Sequence, residues 1–127
     1  MKQTLYIVED NLLVQEALVM LIEDEPDLVV CGVAETAIEA LEVLSGVSPD
    51  LILTDFSLPG MNGIELIERL RVRMPGQRAA MLSGQTDPTC AERALAAGAN
   101  GYILKGDPLA MLEGIRQILD GTVYVSR

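Results

Sequence analysis

Three carboxylates, a hydroxyl and an ammonium group stand at the ends of apolar runs in this sequence. Glu9 and Asp10 follow Leu5-Tyr6-Ile7-Val8, Asp55 follows Leu51-Ile52-Leu53-Thr54, Ser83 follows Ala79-Ala80-Met81-Leu82, and Lys105 follows Tyr102-Ile103-Leu104. If these runs are neighbouring strands, one sheet edge gathers the groups needed to move a phosphoryl group with a divalent metal. Unit charges about 4 Å apart at an effective dielectric near 20 interact by about 4 kcal/mol, so an acidic cluster of this kind calls for a cation. Oxygen-only ligands suit Mg²⁺. Asp10 and Asp55 are the expected main ligands, with Glu9 acting through a water and the backbone carbonyl of Ser57 completing the protein's set. Lys105 supplies a counter-charge to the crevice. Taken singly, each residue has a plainer reading: a helix cap, a loop acid, a solvated lysine, or a turn serine before Gly84. Only the combination favours the site.

Apolar runs expected as strands at 4–8, 28–34, 50–54, 78–82 and 101–104 alternate with amphipathic segments, which predicts a parallel sheet covered by helices on both faces. The helical stripes are Val14, Ala17, Leu18 and Leu21; Ala37, Ala40, Leu41 and Leu44; Ile64, Ile67, Leu70 and Met74; Ala91, Ala94 and Leu95; and Leu112, Ile115 and Leu119. Thr36 with Glu39, Asn62 with Glu65, Asp87 before Pro88 and Asp107 before Pro108 signal helix starts. Gly46, Gly98 and Gly121 suit helix ends. Right-handed crossovers favour a doubly wound sheet of order 2-1-3-4-5, in which strands 1 and 3 meet where the winding reverses and ligands bind beyond the strand ends.

A chain of 127 residues, 50% hydrophobic, predicts one domain with a sizeable core. Its longest apolar stretch, Leu28 to Ala34, falls far short of the roughly 20 residues that span a bilayer. Met1-Lys2-Gln3-Thr4 runs straight into a strand pattern, so a cytoplasmic location without membrane association is expected. Histidine is absent, which removes the commonest general base and transition-metal ligand. A formal charge of −10 and the lack of a basic stripe argue against nucleic-acid binding by this chain. Cys31 and Cys90 read as free thiols.

These positions resemble the receiver domain of two-component response regulators. The likeness runs through Val8-Glu9-Asp10, Asp55 to Pro59-Gly60-Met61-Asn62-Gly63, Ser83, and Gly98-Ala99-Asn100-Gly101-Tyr102-Ile103-Leu104-Lys105. It implies a flavodoxin-like (CheY-like) fold with five strands and five helices, spanning residues 1–121. By resemblance, Asp55 is the phosphoacceptor, Glu9 and Asp10 build the Mg²⁺ site, and Lys105 contacts the phosphoryl group. Ser83 and Tyr102 are then switch residues: Ser83 moves toward the phosphoryl group and Tyr102 turns inward, repacking the face of the fourth helix, fifth strand and fifth helix. The partner is a sensor histidine kinase or phosphotransfer protein, a homodimer on phosphorylation is possible, and the only reaction catalysed is the domain's own phosphorylation and dephosphorylation. Receivers commonly carry proline after this lysine, often with a cis bond; here Gly106 follows, and both bond geometries stay open. Residues 122–127 resemble the start of a linker to an output domain in NarL/LuxR-type regulators, which bind DNA. A stand-alone receiver acting by protein binding is the alternative.

Rivals from other classes fit less well. A haloacid-dehalogenase-type phosphohydrolase needs a second acid two residues after its nucleophile, where this chain has Ser57. A flavodoxin-like FMN carrier needs a hydroxyl- and glycine-rich phosphate loop where this chain has Glu9-Asp10-Asn11. A receiver reduced to a binding module has no need of Asp55, Asp10, Ser83 and Lys105 together.

Overall fold

The alternation of apolar runs and amphipathic segments becomes, in a computed structural model describing residues 1–126, a regular succession of strands and helices. In chain order these are β1 (Gln3–Val8), α1 (Leu12–Glu23), β2 (Leu28–Ala34), α2 (Ala37–Leu44), β3 (Leu51–Asp55) and α3 (Gly63–Arg73). They are followed by β4 (Ala79–Ser83), α4 (Pro88–Ala97), β5 (Gly101–Leu104), α5 (Pro108–Leu119) and β6 (Tyr124–Val125). The strands form one parallel sheet of order β2-β1-β3-β4-β5-β6.

The expected order of the first five strands is therefore met, and a sixth is added. Residues 122–127 read in sequence as a tail, yet Tyr124 and Val125 pair with Gly101 and Tyr102 at the outer edge of β5. The ladder forms because Tyr124 N–H donates to Asn100 O at 3.2 Å and Ser126 N–H donates to Tyr102 O at 2.9 Å. Both central strands also reach further than expected: Asp55 and Ser83 are the last residues of β3 and β4 rather than the first of their loops.

Side chains alternate across the sheet, which divides the core into two layers. Tyr6, Val8, Ile52, Met81 and Tyr102 pack with α2, α3 and α4. Leu5, Ile7, Leu51, Leu53, Leu82 and Ile103 pack with α1 and α5. Four helix starts carry their expected caps: Thr36, Asn62, Asp87 and Asp107 accept hydrogen bonds from first-turn amides. Gly98 closes α4 in the left-handed conformation, φ 111°.

The stripe expected for α1 is met by Leu18, which is buried, and by Val14 and Leu21, which pack against the same core layer. Gln15, Leu18 and Ile22 face inward, while Ala17 is exposed. Gln15 is tolerated inside because its amide Nε2 donates to Glu9 O at 2.8 Å. No helix among the described residues is long and apolar enough to cross a membrane.

Candidate functional site

Register decides which side chains meet. Val8 pairs with Thr54, Asp55 with Leu82, and Ser83 with Leu104, so the carboxyl ends of β1, β3, β4 and β5 finish at one edge. Glu9, Asp10, Asp55 and Lys105 are brought together there.

Lys105 joins the two more buried acids. Its Nζ lies 2.8 Å from Glu9 Oε1 and 3.0 Å from Asp55 Oδ1. Glu9 is 1% exposed and Asp55 9%, so water screens this pair of contacts far less than it screens a surface bridge. The other Glu9 oxygen, Oε2, accepts from Asn11 N–H at 3.1 Å. Glu9 is thus engaged directly by the ammonium and the turn amide. Burial alone would push the Lys105 ammonium down, but its hydrogen bonds to Glu9 and Asp55 outweigh this and hold its pKa above the ordinary lysine value.

Asp10 is exposed beside them, and Glu9, Asp10 and Asp55 each offer a carboxylate oxygen, all within 4.8 Å of one another. Three carboxylates against one ammonium leave an excess of negative charge. An all-oxygen donor set of this kind suits a hard divalent cation that keeps several of its waters. Ser57 follows in the loop after β3 and is exposed.

The loop after β3 is held in place by a glycine. Gly63 N–H donates to Phe56 O at 2.9 Å, and a Cβ at Gly63 would lie 2.3 Å from the Asp55 carbonyl oxygen. The start of α3 therefore packs directly on the end of β3, which a side chain would prevent. The sequence marked Gly63 only as part of a longer run; its closeness to Asp55 is a fact of packing.

Ser83 and Tyr102 meet on one acceptor. Ser83 Oγ and Tyr102 Oη each donate to the carbonyl oxygen of Gln85, both at 2.9 Å. Tyr102 is 1% exposed, so its ring lies inside. The inside position is the one that the resemblance assigns to the switched ring. The space exists because the inner face of α4 is made of Ala91 and Ala94. Burial raises the Tyr102 phenol above its usual pKa, and it stays a donor at neutral pH.

The bond left open in sequence is trans: no cis peptide occurs among the described residues. Gly106 takes φ 113° with open space where a Cβ would stand, a conformation that glycine adopts without strain.

Residues 5–120 match the response regulator receiver domain family. The nitrate/nitrite response regulator protein NarL of Escherichia coli K12 is 32% identical over 124 residues, which cover 97% of this chain and 57% of NarL. The DNA-binding transcriptional activator DevR/DosR of Mycobacterium tuberculosis is 37% identical over 100 residues, 79% of this chain and 46% of that protein. The chain thus spans about half the length of these curated relatives. Among solved structures, a LuxR-family two-component response regulator from Aurantimonas sp. SI85-9A1 superposes with a TM-score of 0.93 at 30% identity, covering 98% of this chain and 89% of that one. The signal receiver domain of the putative response regulator NarL from Mycobacterium tuberculosis gives 0.88 at 25% identity, over 94% of this chain and 98% of that one.

Proposed function

Because this chain belongs to the response regulator receiver domain family, we propose that it stores a signal as a phosphoryl group on Asp55, delivered by a sensor histidine kinase or phosphotransfer protein. The observation that carries this reading is the Lys105 ammonium held between Glu9 and Asp55 at 2.8 and 3.0 Å. A cation already bonded to the acceptor carboxylate is placed to pair with the oxygens of an incoming phosphoryl group.

In the proposed reaction an Asp55 carboxylate oxygen attacks the phosphorus of a phosphohistidine in line. The new oxygen–phosphorus bond forms as the phosphorus–nitrogen bond breaks, and the imidazole leaves with the bonding pair and takes up a proton. Asp10 and Asp55, with Glu9 and the Ser57 carbonyl, would hold Mg²⁺, which when bound supplies charge neutralisation at the phosphoryl oxygens. Lys105 exchanges its carboxylate contact for a phosphoryl oxygen. Ser83 leaves the Gln85 carbonyl for the same group, and the change is read at the loop before α4. Leu12 and Leu13, 59% and 77% exposed at the start of α1 beside the site, give a partner an apolar surface to approach.

The NarL and DevR/DosR likeness supports a DNA-binding output domain as the target of the signal. A stand-alone receiver acting through protein contacts is the alternative, and a homodimer of the phosphorylated form is compatible with both. With Ser57 rather than an acid two residues after Asp55, the domain is proposed to turn over only its own phosphoryl group, in the cytoplasm.

Intact mass after incubation with Mg²⁺ and a small phosphodonor tests the reading. Wild type gains the mass of one phosphoryl group and Asp55→Asn does not. No gain on wild type, or equal gain on the variant, refutes the assignment.

A further inference from the structure

Lys105 has to reach a phosphoryl group from the position directly after β5. The residue after it, Gly106, has an unhindered backbone at φ 113° with nothing packed where a side chain would be. Glu9 and Asp55 hold the Lys105 side chain, and two amide hydrogen bonds hold the strand end that carries it. Lys105 N–H donates to Ser83 O on β4 at 2.8 Å. On the opposite side of the strand, Leu104 N–H donates to the hydroxyl of Ser126 at 2.9 Å.

Ser126 is held by the rest of the C-terminal segment. Its own N–H donates to Tyr102 O at 2.9 Å, one rung earlier on β5. Tyr124 packs into the space left by Gly114 on α5, where a Cβ would stand 2.7 Å from the ring. Val125 packs against the core layer that contains Tyr102. The segment thus grips β5 from both helix faces.

We propose that Ser126 is a positioning residue for Lys105, with β6 as the clamp that holds the end of β5 where the following glycine does not. This rests on the phosphoacceptor reading of Asp55. It also makes the segment leading out of the domain part of its own site: a partner or downstream domain that pulls on β6 would alter how firmly Lys105 is placed.

The test compares wild type, Ser126→Ala, Ser126→Thr, Lys105→Ala and the Ser126→Ala/Lys105→Ala double variant. It uses beryllofluoride as the phosphoryl stand-in and measures Mg²⁺ affinity separately. Loss of one hydrogen bond predicts that Ser126→Ala weakens beryllofluoride binding by about three- to tenfold. Mg²⁺ affinity should stay within about twofold, because Ser126→Ala leaves the acidic ligands untouched and the Lys105 charge in the crevice. Ser126→Thr restores binding, and in the Lys105→Ala background Ser126→Ala has no further effect. Without any ligand, the Leu104 amide exchanges faster in Ser126→Ala than in wild type.

Wild type that binds beryllofluoride while Ser126→Ala binds it equally well overturns the clamp alone, as does an equal loss in both backgrounds. Wild type that takes up no beryllofluoride with Mg²⁺ overturns the phosphoacceptor reading and the clamp with it.

Discussion

Lys105→Met keeps an apolar stem of similar length and removes the charge that bridges Glu9 and Asp55. At about 3 Å and an effective dielectric near 20, each contact has a gross attraction of about 5 kcal/mol. The net loss is smaller, because the two acids can regain water and the lysine side chain is itself 21% exposed. Breaking a fully buried pair costs about 3–5 kcal/mol, and discounting for partial exposure leaves about 2–3 kcal/mol here. For a domain of this size that corresponds to a fall of roughly 10 °C in Tm. The sign of a second effect separates this account from a simple packing defect. With Lys105 gone, the acidic cluster has only a metal to neutralise it, so Mg²⁺ should stabilise the variant more than the wild type. Urea unfolding in chelator and in excess Mg²⁺ measures both quantities. Equal stability of the two proteins in chelator, or equal stabilisation by Mg²⁺, would refute the electrostatic reasoning.

Gly63→Ala is expected to lose more than about 2 kcal/mol, since the new methyl group would overlap the Asp55 carbonyl and force α3 off the end of β3. Phosphoryl uptake in the same variant should fall with it, and a urea midpoint unchanged from wild type would show the contact to be relaxed cheaply. A pH series addresses Lys105 from another direction. Its folded pKa is raised, because the Glu9 and Asp55 hydrogen bonds exceed the cost of burial. The stabilisation it brings is therefore whole below the ordinary lysine pKa and is lost as pH rises through the raised one. The stability gap between wild type and Lys105→Met should hold through the neutral and mildly alkaline range and close only in strong alkali. Closure near neutral pH would contradict the raised pKa.

The acidic crevice was legible because it depends on strand ends, and a parallel doubly wound sheet puts its strand ends on one edge whatever the details of packing. Other features depend on choices that local pattern leaves free. Helix α1 is apolar on several sides, with Leu12, Leu13 and Met20 all exposed, so periodicity placed Val14, Leu18 and Leu21 inward but put Ala17 where Gln15 and Ile22 are buried. The inward turn of Gln15 follows from the unpaired Glu9 carbonyl, which no stripe of hydrophobic residues reveals. Strand β6 is two residues long, too short for alternation to register, and exists because β5 offered an open edge. The role of Gly63 lies in the absence of a side chain against Asp55. In sequence it stood only as part of the run from Pro59 to Gly63.

The position of Tyr102 changes what a phosphoryl signal has to do. Had the ring rested outside, its burial would be the response, and the phosphoryl group would have to supply the energy of moving it. With the ring inside, the groups proposed to respond are the Ser83 hydroxyl and the Gln85 carbonyl that it shares with Tyr102. When Ser83 leaves, Gln85 O keeps its bond from Tyr102, so no buried polar group is orphaned. The cost is that of one exchanged hydrogen bond, about 1 kcal/mol. The loop it releases leads into α4, whose buried side chains are only Ala91 and Ala94, and so little apolar area resists a shift of that helix. A resting state this near to its alternative needs only a small differential interaction to change its population. In the proposed reading, the loop and α4 carry the signal by moving against a Tyr102 ring that is buried in this structure.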